Sequence, residues 1–279
     1  MTDQAEKALA FRRLHERPGA FIIPNPWDVG TAKLLTQMEF EALATTSAGL
    51  AFALGRSDGE DAVNRAETLA NARAIVEATP LPVNADLENG FGDRPEDCAE
   101  TIRQAAQAGL VGGSIEDTTG DPDDPIYAFD FSVERVRAAV AAAHAVHFPF
   151  MLTARAENLI SGRPDLPDTI RRLKAFAAAG ADVLYAPGLK TRDEIAAVVQ
   201  AVAPKPVNAI MGLAGANFSR ADLAALGVKR ISVGSALSRA AFGGFLRAAE
   251  EMRRHGTFDF AEAAVPYPEL NRRLKQRAT

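Results

Sequence analysis

The sequence predicts an α/β protein whose parallel strands close into a (β/α)8 TIM barrel. Short apolar segments alternate with longer segments that carry apolar residues at helical spacing, and about eight such strand–helix units follow one another. Strands joined by helices form right-handed βαβ units in a parallel sheet. Evenly repeated units within 279 residues favour the closed barrel over an open doubly wound sheet, and no Gly-x-Gly-x-x-Gly loop follows the first strand.

The composition indicates a globular protein of the cytoplasm. Hydrophobic residues make up 47% of the chain and charged residues 24%, which suits a sizeable core. The formal net charge is −5 and no basic tract is present, so we expect no nucleic-acid partner. The single cysteine, Cys98, excludes an internal disulfide and fits a reducing compartment. Residues 1–14 lack the apolar core of a signal peptide, and we expect no membrane partner.

Turn residues and apolar spacing place the elements in order. After a leading helix at about 3–16, strands are expected at 20–23, 42–46, from 82, 111–116, 149–155, 182–185, 206–210 and 230–233. Helices are expected at 28–37, 61–78, 94–108, 132–145, 168–179, 191–202, 221–226 and from 236 to about 254. Asp28, Ser132 and Thr191 are the predicted helix caps. We expect a single barrel domain over 1–279, with a tail at about 255–279 that holds two short helical pieces.

Acidic side chains collect where two neighbouring strands end. Asp86 and Glu88 are two residues apart at the exit of the third strand, so an extended backbone points both to one side. The working face of such a barrel lies at the C-terminal ends of its strands, where Glu116 and Arg155 would join them. Such a face could hold Mg²⁺ on the acids and a substrate carboxylate on the arginine. The structural alternatives are a solvated acidic turn and an Arg155 that only pairs with Glu116 or Glu157.

Further candidates occupy the same face, namely Asn25, Trp27, Ser47, Asp58, Tyr185 and Asn208. Tyr185 and Asn208 could equally satisfy neighbouring backbone groups. None of the four histidines, His15, His144, His147 and His255, follows a strand, which argues against a His-rich zinc site. Cys98 lies within a predicted helix, where a buried, inert thiol is expected. No lysine ends a strand, which argues against Schiff-base chemistry.

Four segments carry a resemblance to a known superfamily. They are Val-Asn-Ala-Asp-Leu-Glu-Asn-Gly-Phe-Gly at 83–92, Ser-Ile-Glu-Asp at 114–117, Thr-Ala-Arg-Ala-Glu at 153–157 and Thr-Ser-Ala-Gly-Leu at 46–50. They resemble the isocitrate lyase/phosphoenolpyruvate mutase superfamily, in the same order, from about Phe21 to Gly244. The resemblance implies a (β/α)8 barrel whose last helix is exchanged between subunits of a homo-oligomer, a dimer or tetramer. It also implies Mg²⁺, with Mn²⁺ as a substitute, and a 2-oxo or 2-hydroxy carboxylate substrate.

The resemblance also assigns roles to residues by position. Asp86 resembles the direct Mg²⁺ ligand, and Glu88 and Glu116 resemble acids that hold the ion partly through water. Ser47, Gly49 and Leu50 resemble the carboxylate pocket, with Arg155 beside it. Asp58 resembles an acid of the metal's outer shell, and Asn208 a polar substrate contact. We expect Arg155, Asp58 and Glu116 to serve the reaction, and Tyr185 and Trp27 to help bind the substrate.

The loop after the fourth strand departs from the superfamily pattern. The isocitrate and methylisocitrate lyases carry a Lys-Lys-Cys-Gly-His-type motif there, whose cysteine is their acid/base. Residues 117–125 of this chain contain no Cys, His or Lys, and the mutase's Lys and Asn are missing as well. We therefore expect a lyase that uses a stabilised enolate, with oxaloacetate-like decarboxylation favoured because loss of CO₂ needs no base to remove a hydroxyl proton. The alternatives are P–C bond chemistry on a phosphonate and a barrel that binds 2-oxo acids without turnover.

Overall fold

A computed structural model describes residues 3–59, 62–213 and 215–275. Eight parallel strands form one sheet in the order β1-β8-β7-β6-β5-β4-β3-β2. They are β1 Phe21–Ile23, β2 Leu43–Ala44, β3 Val83–Asp86, β4 Gly112–Glu116, β5 Met151–Arg155, β6 Val183–Tyr185, β7 Val207–Ile210 and β8 Arg230–Ser232. The Ala44 N–H donates to the Pro24 carbonyl at 3.1 Å and joins the two outer strands. The predicted TIM barrel is therefore confirmed.

Helices follow the strands around the barrel. They are α1 Gln4–Glu16, α2 Val29–Gln37, α3 Ser47–Ala53, α4 Arg65–Glu77, α5 Pro95–Gln107, α6 Phe129–His144, α7 Leu166–Ala178, α8 Arg192–Val202, α9 Arg220–Ala225, α10 Ala236–His255 and α11 Tyr267–Lys275. The side chains of Asp28 and Thr191 accept from the amides of Thr31 and Glu194, so these two predicted caps are confirmed. In the described part of the chain, no helix has the length and apolar character needed to cross a membrane.

Two helix starts differ from the expectation. Ser132 is not the cap of α6, which begins at Phe129 after Ala128, because the Ser132 hydroxyl is buried and donates to the Tyr127 carbonyl at 3.2 Å. The helix expected from residue 61 begins at Arg65 with Asn64 as its cap, and Asp61 itself lies outside the described residues. The start of α4 is set by a local capping box between Asn64 and Glu67, whereas the Ser132 hydroxyl also accepts from the distant Arg172.

Helix α1 closes the end of the barrel at which the strands begin. Phe11 and Phe21 are buried, and their rings meet edge to face with centroids 6.4 Å apart. A Cβ atom at Gly112, the first residue of β4, would come within 3.1 Å of the Phe11 ring. His15 packs edge to face on both phenylalanines, with centroids 4.7 and 5.0 Å away. This apolar plug leaves the opposite end of the barrel as its open mouth.

Helix α10 covers its own barrel poorly. Of its residues, all of which are described, only Ser238 is buried, whereas Phe245 and Leu246 are 67% and 62% exposed. The two helical pieces predicted in the tail are present as a 3₁₀ helix at Asp259–Glu262 and as α11. Helix α11 lies against α2, where the Gln37 side chain donates to the Arg273 carbonyl at 2.6 Å.

The buried His15 generates a prediction about acid stability. Burial, followed by the charge of Arg230, lowers the pKa of His15 to about 3. Below about pH 6.5 the His15 side chain is therefore protonated in the unfolded chain but stays neutral in the folded protein. The unfolding free energy consequently falls as the pH falls from 6.5 towards 3. Between pH 7 and pH 5 this one group should cost about 2 kcal/mol of unfolding free energy.

The measurement is urea unfolding of the wild type and of His15→Leu at both pH values. His15→Leu keeps an apolar side chain in the plug but removes the titrating group, so its stability should fall by about 2 kcal/mol less than that of the wild type. His144→Leu is the control, because its position outside the plug gives no reason for the same effect. Equal pH dependence in the wild type and His15→Leu would contradict the prediction.

Candidate active site

A cavity of about 180 Å³ opens at the C-terminal ends of the strands. Parallel topology brings every strand exit to this one end, so residues far apart in the sequence meet there. The cavity lining includes seven of the residues that the sequence analysis proposed. They are Asn25, Ser47, Asp58, Asp86, Arg155, Tyr185 and Asn208. Glu116 lies beside them through its contact with Arg155. Glu88, Gly49, Leu50 and Trp27 are not in the lining.

Arg155 is the centre of the charged groups at the mouth. Its Nη1 atom lies 2.8 Å from Asp86 Oδ1, its Nη2 atom 3.0 Å from Glu116 Oε2, and its Nε atom 2.8 Å from Glu157 Oε1. The three acids come from the ends of β3 and β4 and from just beyond β5. The guanidinium also lies 5.1 Å from the ring centroid of Tyr185. Both of the alternative pairings considered for Arg155 are therefore present, together with a third to Asp86.

These ion pairs are largely withdrawn from water. The side chains of Arg155 and Glu116 are 14% and 13% exposed. Burial by itself would lower the pKa of Arg155, but Glu116, Glu157 and Asp86 outweigh burial and raise it well above its ordinary value. Burial raises the pKa of Glu116, and the neighbouring acids Glu157 and Asp86 add to the increase against the opposing effect of Arg155. The mouth therefore holds a permanently charged guanidinium next to an acid whose pKa is raised by burial.

Asp86 is positioned by hydroxyl groups of two adjacent elements. The Ser47 hydroxyl donates to Asp86 Oδ2 at 2.9 Å, and the backbone N–H of Asp86 donates to Thr45 Oγ1 at 3.0 Å. The Ser114 hydroxyl lies 3.5 Å from Asp86 Oδ1. The carboxylate thus has a set orientation towards the cavity rather than the freedom of a solvated turn.

The donor chemistry at the mouth fits a hard divalent ion. Mg²⁺ is usually bound through one or two carboxylates while keeping several waters. Asp86 and Glu116 supply two such carboxylates, which lie close together because both pair with the Arg155 guanidinium. Within the described ranges, no three His, Cys, Asp or Glu side chains converge as a ready-made metal cluster. Glu88 has a φ of +47° in the turn after β3, and its backbone carbonyl accepts from the Glu116 N–H at 3.0 Å. The residues present thus suit an ion completed by water and substrate more than a closed protein cage.

Ser47 begins helix α3, which the sequence analysis did not predict. Thr46 caps it, with its hydroxyl accepting from the Gly49 N–H at 3.2 Å and its carbonyl from the Leu50 N–H at 3.1 Å. The amides of Gly49 and Leu50, two of the three residues that the resemblance places in a carboxylate pocket, therefore already have Thr46 as their partner. Trp27 supports this helix, because a Cβ atom at Gly49 would lie 3.1 Å from Trp27 Cβ.

The two ends of the loop after β4 pair with each other as a short hairpin. Thr118 and Ile126 form an antiparallel bridge, and the Tyr127 N–H donates to the Asp117 carbonyl at 2.9 Å. Burial raises the pKa of Asp117 to about 6, although its carboxylate accepts from the Glu157 N–H at 2.8 Å and pairs with Arg172 at 3.0 Å. The hairpin therefore anchors the residue, Glu157, that binds the Nε side of Arg155.

Other candidate residues have structural roles. Asn25 ties the barrel closed, since its side-chain oxygen accepts from the Val233 and Gly234 N–H groups and its amide donates to the Thr45 carbonyl. Cys98 is fully buried and burial raises the pKa of its thiol to about 11, as expected for an inert cysteine.

Sequence reasoning missed Arg230, which lines the cavity at the start of β8. Its Nε atom donates to Asn208 Oδ1 and its Nη2 atom to Thr153 Oγ1, both at 2.9 Å. Only the residues at the strand exits were considered as candidates. The signal was nonetheless available, because Arg230 and Ser232 are two residues apart on a strand and therefore share the inward face.

Comparisons with known proteins agree with this geometry. The family model described as phosphoenolpyruvate phosphomutase matches residues 11–253. A crystal structure of a Burkholderia cenocepacia J2315 protein is 62% identical, covers 99% of this chain and 98% of its own, and superposes with a TM-score of 0.96. The phosphonopyruvate hydrolase of Variovorax sp. is 33% identical, over 70% of this chain and 69% of its own length. The oxaloacetate decarboxylase of Paraburkholderia xenovorans is 26% identical, over 81% of this chain and 74% of its own length.

The barrel, the charged mouth around Arg155 and the match of the family model over most of the chain lead to one assignment. The chain is an enzyme of the phosphoenolpyruvate phosphomutase family and so belongs to the isocitrate lyase/phosphoenolpyruvate mutase superfamily of lyases and mutases.

Proposed function

We propose that this enzyme is a Mg²⁺-dependent carbon–carbon lyase that acts on a small 2-oxo carboxylate through an enolate. Decarboxylation of an oxaloacetate-like substrate is the favoured reaction. The observation that carries the proposal is the convergence of Asp86, Glu116 and Arg155 on one cavity at the barrel mouth. Carboxylates for a hard cation and a guanidinium fork for an organic acid are the two recognition elements that such a substrate needs.

Each group at the mouth has a role in this proposal. Asp86, aligned by Ser47, would hold the ion directly, and Glu88 and Glu116 would hold it partly through water. When bound, the divalent ion supplies Lewis-acid stabilisation of the charge that develops on the substrate oxygen, and Mn²⁺ can serve in place of Mg²⁺. Arg155 would bind the substrate carboxylate, with Asp58 in the outer shell. Ser47, Asn208 and Tyr185, which line the cavity, would make further substrate contacts. The sequence adds Gly49, Leu50 and Trp27, which lie outside the lining.

The loop after β4 favours decarboxylation over retro-aldol cleavage. A retro-aldol reaction needs a base for the hydroxyl proton, and residues 117–125 contain no Cys, His or Lys. Release of CO₂ leaves the bonding electrons on the substrate without any such proton transfer. The name of the relative from Paraburkholderia xenovorans, oxaloacetate decarboxylase, supports this choice.

P–C bond chemistry is the second candidate, and it has support of its own. The Variovorax relative, which is 33% identical over 70% of this chain, is named phosphonopyruvate hydrolase. A barrel that binds 2-oxo acids without turnover is the remaining alternative.

The proposal includes the assembly of the protein. Helix α10 leaves large apolar side chains exposed, among them Phe245 and Leu246, where the other barrel helices pack against the strands. Exchange of this helix between subunits of a dimer or tetramer, as the resemblance implies, would bury them. A single barrel domain over residues 1–279 and a location in the cytoplasm complete the proposal.

The deciding experiment offers the purified protein oxaloacetate and phosphonopyruvate with Mg²⁺. Pyruvate and CO₂ released from oxaloacetate in preference to phosphate from phosphonopyruvate are expected. Preferential phosphate release would replace the favoured reaction by P–C cleavage. Binding of both acids without any product would identify the barrel as a binding protein.

Asp86→Ala should lower kcat/KM by more than about 100-fold, because loss of even an indirect metal contact costs about 10- to 100-fold. The fold should persist, since Asp86 is at the barrel mouth rather than in the core. Mg²⁺ titration by calorimetry and circular dichroism measure the two effects. Asp124→Ala, in an exposed ion pair with Arg163, is the matched control and should keep wild-type kinetics. Full activity of the wild type after exhaustive chelation would remove the metal from the proposal.

Arg155→Lys should raise KM by about 10-fold or more, because an ammonium is a point charge and cannot reproduce a planar fork. The change should also lower the unfolding free energy by about 2 kcal/mol, since a lysine cannot satisfy three buried carboxylates together. Arg17→Lys is the control, because Arg17 forms a two-bond pair with Glu41 at the surface. Steady-state kinetics and urea unfolding test both parts, and unchanged kinetics would limit Arg155 to a structural role.

A further inference from the structure

Arg230 is a second arginine of the barrel interior, and its charge is not compensated as that of Arg155 is. The residue is 3% exposed. Both of its hydrogen bonds go to neutral groups, the Asn208 amide oxygen and the Thr153 hydroxyl. Among the residues that the structure describes, no Asp or Glu forms an ion pair with it, in contrast to the three acids around Arg155. Burial lowers the pKa of Arg230 to about 10, with only Tyr185 opposing that shift.

One end of the Arg230 guanidinium is unused. Its Nη1 atom is buried and has no hydrogen-bond partner in the described part of the chain. A buried polar group without a partner is costly, and an unpaired buried charge more so. The polar groups around the guanidinium are also tied to one another, because the Asn208 amide donates to Ser232 Oγ at 3.0 Å. These neutral groups hold the Arg230 guanidinium in place without neutralising its charge.

The position of Arg230 connects it to the charged mouth. It lines the same cavity as Ser47, Asp86 and Arg155. Its Nη2 atom bonds Thr153, which precedes Arg155 by two residues on the same face of β5. Arg230 is the first residue of β8, whereas Arg155 is the last of β5, and Thr153, the partner of Arg230, precedes Arg155 by roughly 7 Å along the strand. The cavity thus has a cation at its floor in addition to the groups at its rim.

We propose that Arg230, supported by Asn208 and Ser232, binds the second acidic group of the substrate, at the end remote from the 2-oxo acid. This inference rests on the proposed function, because it takes the 2-oxo acid end of the substrate to lie at Asp86 and Arg155. An anionic group at the floor supplies the charge that Arg230 lacks and a partner for its Nη1 atom. The enzyme accordingly selects 2-oxo acids with an acidic tail over those with an apolar tail.

The test compares two ligands that differ only in the tail, 2-oxoglutarate and 2-oxopentanoate. Neither has the carboxylate beta to the keto group that decarboxylation requires, so binding is measured without reaction. Calorimetry in the presence of Mg²⁺ should show that the wild type binds the diacid about 10-fold or more tightly than the monoacid, since a charged group left unpaired in a buried site is strongly disfavoured. Arg230→Met should reduce this preference to about 2-fold or less and leave monoacid binding within about 2-fold.

Two further variants guard against a merely structural effect. Arg230→Lys keeps a charge but loses the fork, so it should retain part of the preference, and it replaces Arg230→Met if the latter does not fold. Arg135→Met is the matched control, because Arg135 is equally buried but bonds the backbone carbonyls of Asn89, Gly92 and Asp93 away from the cavity. The Arg135→Met variant should prefer the diacid to the same extent as the wild type.

Kinetics provide a second readout. A guanidinium stabilises a carboxylate before it leaves as neutral CO₂, so it strengthens ground-state binding more than the transition state. In Arg230→Met, KM for oxaloacetate should therefore rise by about 10-fold while kcat stays constant or increases. For phosphonopyruvate, whose tail stays anionic on release, kcat should fall as well, and this difference distinguishes a carboxylate from a phosphonate at the floor.

The outcomes separate this inference from the proposed function. An Arg230-dependent preference for the diacid without turnover of any substrate would support the subsite and refute the lyase proposal. Turnover of oxaloacetate by a wild type that binds both ligands equally, or a preference that survives in Arg230→Met, would overturn the subsite and leave the lyase proposal intact.

Discussion

Compensation of buried charge is the constraint on which the mouth of this barrel depends. Bringing several charged side chains into a narrow interior costs solvation, and the cost is offset only where opposite charges meet with good geometry. Arg155 meets this requirement by pairing with Asp86, Glu116 and Glu157. The same contacts tie the ends of β3, β4 and β5 together. The site and the rim of the barrel are therefore stabilised by one group of ion pairs, which a substrate or metal ion must rearrange in order to bind.

The two ends of the barrel follow opposite rules. At the end where the strands begin, α1 inserts Phe11 and His15 against Phe21, so water is excluded and an uncharged histidine is stabilised. At the other end, inward-facing positions carry hydroxyl, amide and charged groups. Arg230 lies between these regions, near enough to the plug for its charge to lower the pKa of His15. Polarity inside the barrel thus increases from the plug towards the mouth.

Membership of the superfamily explains the shared framework but not the chemistry specific to this chain. The family model matches residues 11–253, a range that includes Asp86, Glu116 and Arg155. The loop at 117–125 contains no Cys, His or Lys, and Arg230 bonds the Asn208 amide oxygen inside the barrel. A short hairpin closes the base of that loop, and its buried Asp117 holds the backbone of Glu157. We therefore expect reaction specificity in this barrel to depend on these residues as well as on Asp86, Glu116 and Arg155.

The sequence by itself determined the order of strands and helices, because alternation of apolar and helical spacing repeats so regularly along the chain. It also determined which acids end the strands, and the caps Asp28 and Thr191. The helix at Ser47 was missed although its cap, Thr46, is a local one. The start of α6 was misplaced because the Ser132 hydroxyl bonds the Tyr127 carbonyl and the distant Arg172 instead of capping the helix.

Only the tertiary structure decided which charges meet. The inward direction of a side chain follows from its parity on a strand, but its neighbours across the barrel follow from the register between strands. That register places Arg155 among three carboxylates and Arg230 among neutral groups, although both arginines lie on inward-facing strand positions. Sequence reasoning could identify both residues as basic, but only the closed ring of strands showed that Arg230 has no acidic partner among the described residues.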